Sequence, residues 1–170
     1  LVLSDNPLLI LPSKKTSDYD VSVKFADLVK ESDYKIDFKS CDELTNDDWQ
    51  NRSLIVLGND KSNSFFKNLK NHYPDKVDIN GNDLILNDKK FTAEGNLLLL
   101  NMQHPQNPDK YTSVINCGKI ESPEQFRRLF HYLSYSMVFL SNSKMGRPLS
   151  QMEIFPAIKD KKQLLYEFSN

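Results

Sequence analysis

The stretch Ser53–Asn63, SLIVLGNDKSN, determines how the rest of this chain is interpreted. Its first residues, Ser53–Leu57, form a continuous apolar run, which is typical of a strand buried on both faces of a sheet. The run passes directly into the turn Gly58-Asn59-Asp60, and apolar residues at helical spacing follow over 65–69. A buried strand joined by a short turn to a helix predicts one unit of an α/β sheet.

The residues before this stretch show the same alternation of strand and helix. Pro7–Pro12, PLLILP, reads as a second buried strand. An amphipathic helix is predicted from Asp20 to Glu31, with Asp18 or Asp20 as its cap. Tyr34–Lys39 alternates apolar and charged residues like an edge strand. A helical turn is predicted over 45–50, capped by Thr45.

The residues after it contain an interruption. Residues 76–92 hold alternating apolar pairs around Asn80-Gly81, which predicts a small antiparallel hairpin or meander. Three further strands are predicted at Leu97–Leu100, Tyr111–Cys117 and Ser136–Leu140. Between the last two, Ser122-Pro123-Glu124-Gln125 is a strong helix start. The tail from Lys144 onward gives no clear pattern.

Buried strands separated by helices require crossover connections, which place helices on both faces of a largely parallel sheet. We therefore predict an α/β fold: a three-layer, Rossmann-like or flavodoxin-like, mostly parallel sheet with an inserted β-hairpin near residues 76–92. No repeat or linker divides the chain, so residues 1–170 are interpreted as one domain. Because the sequence begins at Leu1 and not at methionine, we expect the domain to be excised from a longer protein.

Composition excludes several functional classes. The 170 residues carry a formal net charge of −1, which does not favour binding to nucleic acid. The apolar runs are much shorter than the roughly 20 residues of a membrane-spanning helix, and the mean hydropathy of −0.55 agrees. Two cysteines cannot build a disulfide scaffold or a four-thiolate zinc site.

Candidate ligand-binding residues follow from the predicted sheet. In open α/β sheets ligands bind beyond the carboxyl ends of the strands. The polar residues that follow the predicted strands are the candidates. They are Gly58, Asn59, Asp60, Ser62, Asn63, Asn101, Gln103 and His104.

The turn Gly58–Asn63 has two interpretations. Its backbone N–H groups and the following helix could hold a phosphate or nucleotide. However, neither G-x-G-x-x-G nor G-x-x-x-x-G-K-[ST] is present. The structural interpretation is that Gly58 supplies the turn and that Ser62 or Asn63 caps the helix.

Sequence motifs for catalysis are missing. His104 is the main candidate for a base, with Cys117 or Asp109 as its partner, but no ligand-type spacing surrounds it. There is no G-x-S-x-G elbow.

Both cysteines are expected to be buried, inert thiols, with a Cys41–Cys117 bridge as a minor alternative. We predict no catalytic residue, cofactor or metal site. The aromatic residues, Trp49 among them, are interpreted as core rather than as a carbohydrate platform.

Ser53–Asn63, the hairpin, Leu97–Leu100, Asn107–Tyr111 and Val114–Gly118 together resemble a known module. It is the Rossmann-like accessory module that accompanies secreted or surface α/β-hydrolase and peptidase domains in bacteria. The resemblance covers roughly residues 50–120. Its matching residues look structural in that module; they are Gly58, Asn63, Asn107, Pro108 and Gly118. The polar stretch 101–106 departs from the module, which is often apolar and proline-rich there.

The resemblance implies a non-catalytic accessory or interaction domain of a larger extracytoplasmic bacterial hydrolase or peptidase. Its partner would be the catalytic domain of the same polypeptide, and its location periplasmic or on the cell surface. The first alternative is a small-molecule or phosphate-binding domain that uses Gly58–Asn63. A weaker alternative is a hydrolase centred on His104.

Overall fold

A computed structural model describes residues 6–31, 35–86, 88–123, 126, 137–141 and 151–155. Its strands are β1 Leu8–Leu11, β2 Asp37–Ser40, β3 Leu54–Gly58, β4 Val77–Asn80, β5 Asp83–Leu86, β6 Lys89–Thr92, β7 Leu97–Gln103, β8 Tyr111–Cys117, β9 Met137–Ser141 and β10 Gln151–Phe155. Its α-helices are α1 Asp18–Lys30, α2 Asn46–Asn51 and α3 Phe66–Leu69. Short 3-10 turns follow β2 and α3. The chain therefore has mixed α/β content, as predicted.

The main sheet has seven strands in the order β10-β9-β7-β8-β3-β1-β2. Strands β2, β1, β3 and β8 pair in parallel. Strand β7 is antiparallel to both β8 and β9, and β10 is antiparallel to β9. Five strands of this sheet therefore point the same way, while β7 and β10 point the other way.

The direction of β7 corrects one expectation. The sequence analysis placed the loop after Leu97–Leu100 at the same edge as the loops after β1 and β3. Leu97 pairs with Cys117 and Gln103 with Tyr111, so β7 and β8 form an antiparallel pair. The seven residues between them are too few for a parallel crossover, which needs about a dozen or more. The residues after β7 consequently lie at the opposite edge of the sheet.

Both faces of the sheet are buried. One cluster packs α1 and Phe126 against alternate residues of the strands, with Phe25 and Phe126 ring centroids 5.1 Å apart. The other cluster holds the intervening residues together with α3 and the apolar side chains of β4 and β5. Leu8–Leu11 and Leu54–Leu57 are at most 1% exposed, as expected for strands covered on both faces.

Residues 77–92 form a separate three-stranded antiparallel sheet in the order β4-β5-β6. Asn80 pairs with Asp83 across the turn that contains Gly81. One face of this sheet, through Val77 and Leu84, joins the second core cluster. The antiparallel character follows the sequence prediction, and the insert has a third strand, Lys89–Thr92, in addition to the pair that makes a hairpin.

Other element boundaries differ modestly from expectation. Helix α1 begins at Asp18, two residues early, and its N-cap Ser17 makes no side-chain capping bond. Thr45 caps α2 in a reciprocal capping box with Asp48, as predicted. The helix predicted from Ser122 lies largely outside the described residues, although Phe126 is helical and buried. Strand β10 was not predicted from the tail.

Among the described residues, none of the helices has the length and apolar character needed to cross a membrane.

Candidate functional site

Asn63 ties the ends of two strands together at the carboxyl edge. Its side chain is fully buried, and Nδ2 donates to the carbonyls of Leu57 at 2.9 Å and Ile10 at 3.2 Å. Its Oδ1 accepts from the N–H of Phe65 at 3.1 Å. The N-cap of α3 is Phe65, without a side-chain capping bond, so the predicted capping by Ser62 or Asn63 is wrong. The Asn63 amide instead fixes β1 against β3.

Asn59 performs the same function between β3 and β8. Its Nδ2 donates to the carbonyls of Cys117 at 2.9 Å and Gly118 at 3.0 Å. Its Oδ1 accepts from the N–H groups of Lys61 at 2.9 Å and Ser62 at 3.1 Å. Asn59 is only 3% exposed, so it is part of the interior of this edge.

The turn that contains these residues is closed by its own hydrogen bonds. The N–H of Asn59 donates to Ser62 Oγ at 3.2 Å, in addition to the N–H groups taken by the two asparagine side chains. Gly58 has φ +115°, and a Cβ there would lie 2.7 Å from Ser62 Oγ. A phosphate cradle needs free, converging N–H groups at the start of a helix. Here those groups are bonded, and α3 has only four residues.

Asp60 anchors this turn to the antiparallel insert. Its Oδ2 accepts from the N–H of Gly81 at 3.0 Å, while Oδ1 is buried without a hydrogen-bond partner among the described residues. The carboxylate also acts on the partly buried Tyr73, whose pKa is raised by burial and then by the charges of Asp78 and Asp60. Asp60 therefore connects the loop after β3 with the turn between β4 and β5.

Asp18 is the first residue of α1 and lies at the same carboxyl edge. The sequence analysis considered it only as a helix cap. It is 7% exposed, and burial raises the pKa of its carboxyl. Hydrogen bonds from the backbone of Ile120 and the side chain of Ser62, together with the charge of Lys119, act in the opposite direction. A buried carboxylate thus sits between the start of α1 and the loops after β3 and β8.

Gly118 permits close packing behind these groups. Its N–H donates to the carbonyl of Ala93 at 3.0 Å. A Cβ at position 118 would lie 2.9 Å from the backbone of Ala93 and Glu94. This glycine is required by the close approach of two backbones, so its place at the strand end is structural.

The other three predicted ligand residues lie at the opposite edge. Asn101 hydrogen-bonds the side chain of Ser113 on the neighbouring strand β8. Gln103 Nε2 donates to the carbonyl of Pro108 at 2.9 Å within the loop between β7 and β8. Gly58, Asn59, Asp60, Ser62 and Asn63 are therefore brought together, whereas Asn101, Gln103 and His104 are separated from them.

His104 organises that loop. Its Nδ1 accepts from the N–H groups of Gln106 and Asn107, both at 3.1 Å, which assigns the proton of the neutral ring to Nε2. The residue is 3% exposed, and burial lowers its pKa, while a backbone group of Trp49 acts in the opposite direction. Nε2 is buried and forms no hydrogen bond of acceptable geometry among the described residues. The ring of His104 thus acts as a hydrogen-bond acceptor that shapes the loop between β7 and β8.

The proposed catalytic pairing of His104 with Cys117 is wrong. Gln103, which precedes His104, pairs with Tyr111, and Cys117 lies six residues further along β8. At roughly 3.3 Å per residue the two side chains are about 20 Å apart. Asp109 is exposed on the loop. Both cysteines are free, which excludes the disulfide; Cys117 is fully buried as expected, whereas Cys41 is partly exposed.

Comparisons with known proteins add no family assignment. No protein-family model matches the chain, and no curated protein matches it either. Within the part of the chain that the structure describes, no group of three or more His, Cys, Asp or Glu side chains is placed to hold a metal ion. The function must therefore be inferred from the geometry of the two sheet edges.

Proposed function

We propose that this chain is a non-catalytic accessory domain of a larger extracytoplasmic bacterial hydrolase or peptidase. In this proposal its sheet is of the three-layer, Rossmann-like type, residues 1–170 act as one domain, and the partner is the catalytic domain of the same polypeptide. The basis for the family is the resemblance of residues 50–120 to such modules. One structural observation carries the functional part, and it concerns the carboxyl edge.

That observation is the filling of the carboxyl edge by the chain's own side chains. Enzymes and binding proteins with open α/β sheets keep their ligand in a crevice at this edge. Here Asn59 and Asn63 cross-link β1, β3 and β8, and Asp18 lies against Ser62 and Ile120. Side chains that hold the strand ends together stabilise the fold, so this arrangement supports a structural role for the edge.

The same hydrogen bonds argue against the phosphate-binding alternative. To bind an anion, the turn would have to release the N–H groups of Lys61, Ser62 and Phe65 from the asparagine side chains. The carboxylate of Asp18 beside Ser62 would also repel a phosphate. Both effects oppose the binding of a phosphate there.

The proposal is tested by expressing the chain alone and joined to the polypeptide encoded beside it. The chain alone should turn over no ester or peptide substrate, and the joined protein should. If the two parts pack together, the melting temperature of this chain should also be higher in the joined protein. Ser13 follows β1 at the carboxyl edge, and its hydroxyl donates to Asp42 at 2.8 Å. Turnover by the chain alone that disappears in a Ser13→Ala variant would overturn the proposal.

A further inference from the structure

A groove lies between α2 and α3, away from the carboxyl edge, and the loop that contains His104 borders it through Gln106. Its volume is about 490 Å³, within the roughly 300–1,000 Å³ range of small-molecule sites. Its lining includes Asn46, Trp49, Phe65, Asn68, His72 and Gln106. It uses no residue of the carboxyl edge, so its role is independent of the function proposed above.

The side chains that line this groove are mostly polar and neutral. None of its lining residues is Asp, Glu, Lys or Arg. The side-chain amides of Asn46, Asn68 and Gln106 make no hydrogen bond to other described residues, and all three side chains are exposed. An amide offers two donors and an acceptor, which suits a ligand hydroxyl that both donates and accepts. The lining holds no carboxylate to pair with a cationic ligand, and His72 is its only basic side chain.

Trp49 gives the groove a fixed aromatic wall. Its ring packs edge-on against Phe65, with centroids 4.5 Å apart, and against the buried His104 at 5.7 Å. The indole N–H is buried and has no hydrogen-bond partner among the described residues. A buried donor without an acceptor is unfavourable, and such a group calls for a functional or solvent partner.

We propose that the groove binds an uncharged, hydroxyl-rich molecule with the dimensions of a sugar ring or a short saccharide. The amides of Asn68 and Gln106 hydrogen-bond the ligand hydroxyls, and the Trp49–Phe65 pair supplies the apolar wall. The sequence analysis assigned Trp49 to the core. The structure shows that it contacts the core on one side and lines the groove as well.

Trp49 is the only tryptophan in the sequence, so its fluorescence reports directly on the groove. The chain is titrated with glucose, galactose and N-acetylglucosamine, and with maltose, cellobiose, lactose and chitobiose. A saturable change with at least one of these supports the proposal. A response to disaccharides alone assigns the groove to a polysaccharide chain, and a response to monosaccharides assigns it to free sugars. No saturable response at concentrations into the tens of millimolar overturns it.

Variants and charged analogues localise the binding. Asn68→Ala and Gln106→Ala should each weaken the responding sugar about fivefold or more, the equivalent of one lost hydrogen bond. Asn80→Ala, an exposed asparagine on β4 outside the groove, is the matched control and should leave binding unchanged. Equal loss in the control, or no loss in either groove variant, overturns the assignment. Glucose 6-phosphate or glucuronate binding as tightly as the neutral sugar contradicts the uncharged character of the site.

Discussion

The side-chain amide of Asn59 lies 2.9 Å from the carbonyl oxygen of Cys117 and joins the end of β3 to the end of β8. Together with Asn63, it makes the carboxyl edge a cross-linked part of the interior. Removing either amide should therefore lower the stability of the fold, and its effect on stability can be measured separately from any effect on ligand binding.

Asn63→Ala should destabilise the chain by about 2–4 kcal/mol, because it removes a buried amide that donates two hydrogen bonds and accepts one. Urea denaturation followed by far-ultraviolet circular dichroism measures the change. Asn80→Ala, at an exposed position, should change the free energy of unfolding by no more than about 0.5 kcal/mol. Equal effects in the two variants would contradict the structural role of Asn63.

Asp48 should stabilise the chain only where it is ionised. Burial alone would raise the pKa of this carboxyl, but the hydrogen bonds from Lys39 and Thr45 outweigh it and hold the pKa below its usual value. Its contribution is therefore present above the unfolded-state pKa of about 3.9 and is lost as the pH falls through the lower folded-state value. The difference in unfolding free energy between the parent chain and Asp48→Asn should shrink below about pH 4. A difference that does not change with pH would count against this ion pair.

Asp18 should show the opposite dependence. Burial raises the pKa of its carboxyl, so the folded state holds the proton more tightly than the unfolded state does. Stability from this group is present below about pH 3.9 and is lost as the pH rises through the folded-state pKa. Asp18→Asn should therefore be relatively more stable at pH 7 than at pH 3. If the pH dependence of the variant and the parent coincide, Asp18 is not the buried carboxylate described above.

The two cysteines should react at very different rates. Cys117 is fully buried, and burial raises the pKa of its thiol, whereas Cys41 is partly exposed. With a disulfide reagent such as DTNB, one thiol per chain should react quickly under native conditions and the second only after unfolding. Cys41→Ser should remove the fast phase. Two equal phases in the parent chain would contradict the burial of Cys117.

Residue periodicity predicted most elements of the fold, because it depends on which side chains face the core. Tyr111–Cys117 was predicted with the bounds that the structure gives, and Thr45 was predicted as a cap. The direction of β7 could not be predicted from periodicity, because a buried strand has the same apolar pattern whether it is parallel or antiparallel to its neighbours. The short connection between Gln103 and Tyr111 did contain that information. Gln151–Phe155 was missed within a tail of scattered apolar residues.

The candidate site was harder to predict than the fold. Glycine and asparagine after a buried strand are equally consistent with an anion cradle and with internal cross-links. What separates the two is the partner of each amide, and Asn59 finds its partners 58 and 59 residues away at Cys117 and Gly118. The burial of His104 likewise depends on contacts with Trp49, far from it in the chain. Such long-range contacts are not visible in local sequence patterns.

The most direct test of the closed carboxyl edge is an NMR titration of the ¹⁵N-labelled chain with inorganic phosphate and with ADP. The backbone N–H signals of Lys61, Ser62 and Phe65 should not shift, because these groups already donate to Asn59 and Asn63. Saturable shifts of these three signals, abolished by Ser62→Ala, would show that the edge opens to bind phosphate and would contradict a purely structural role.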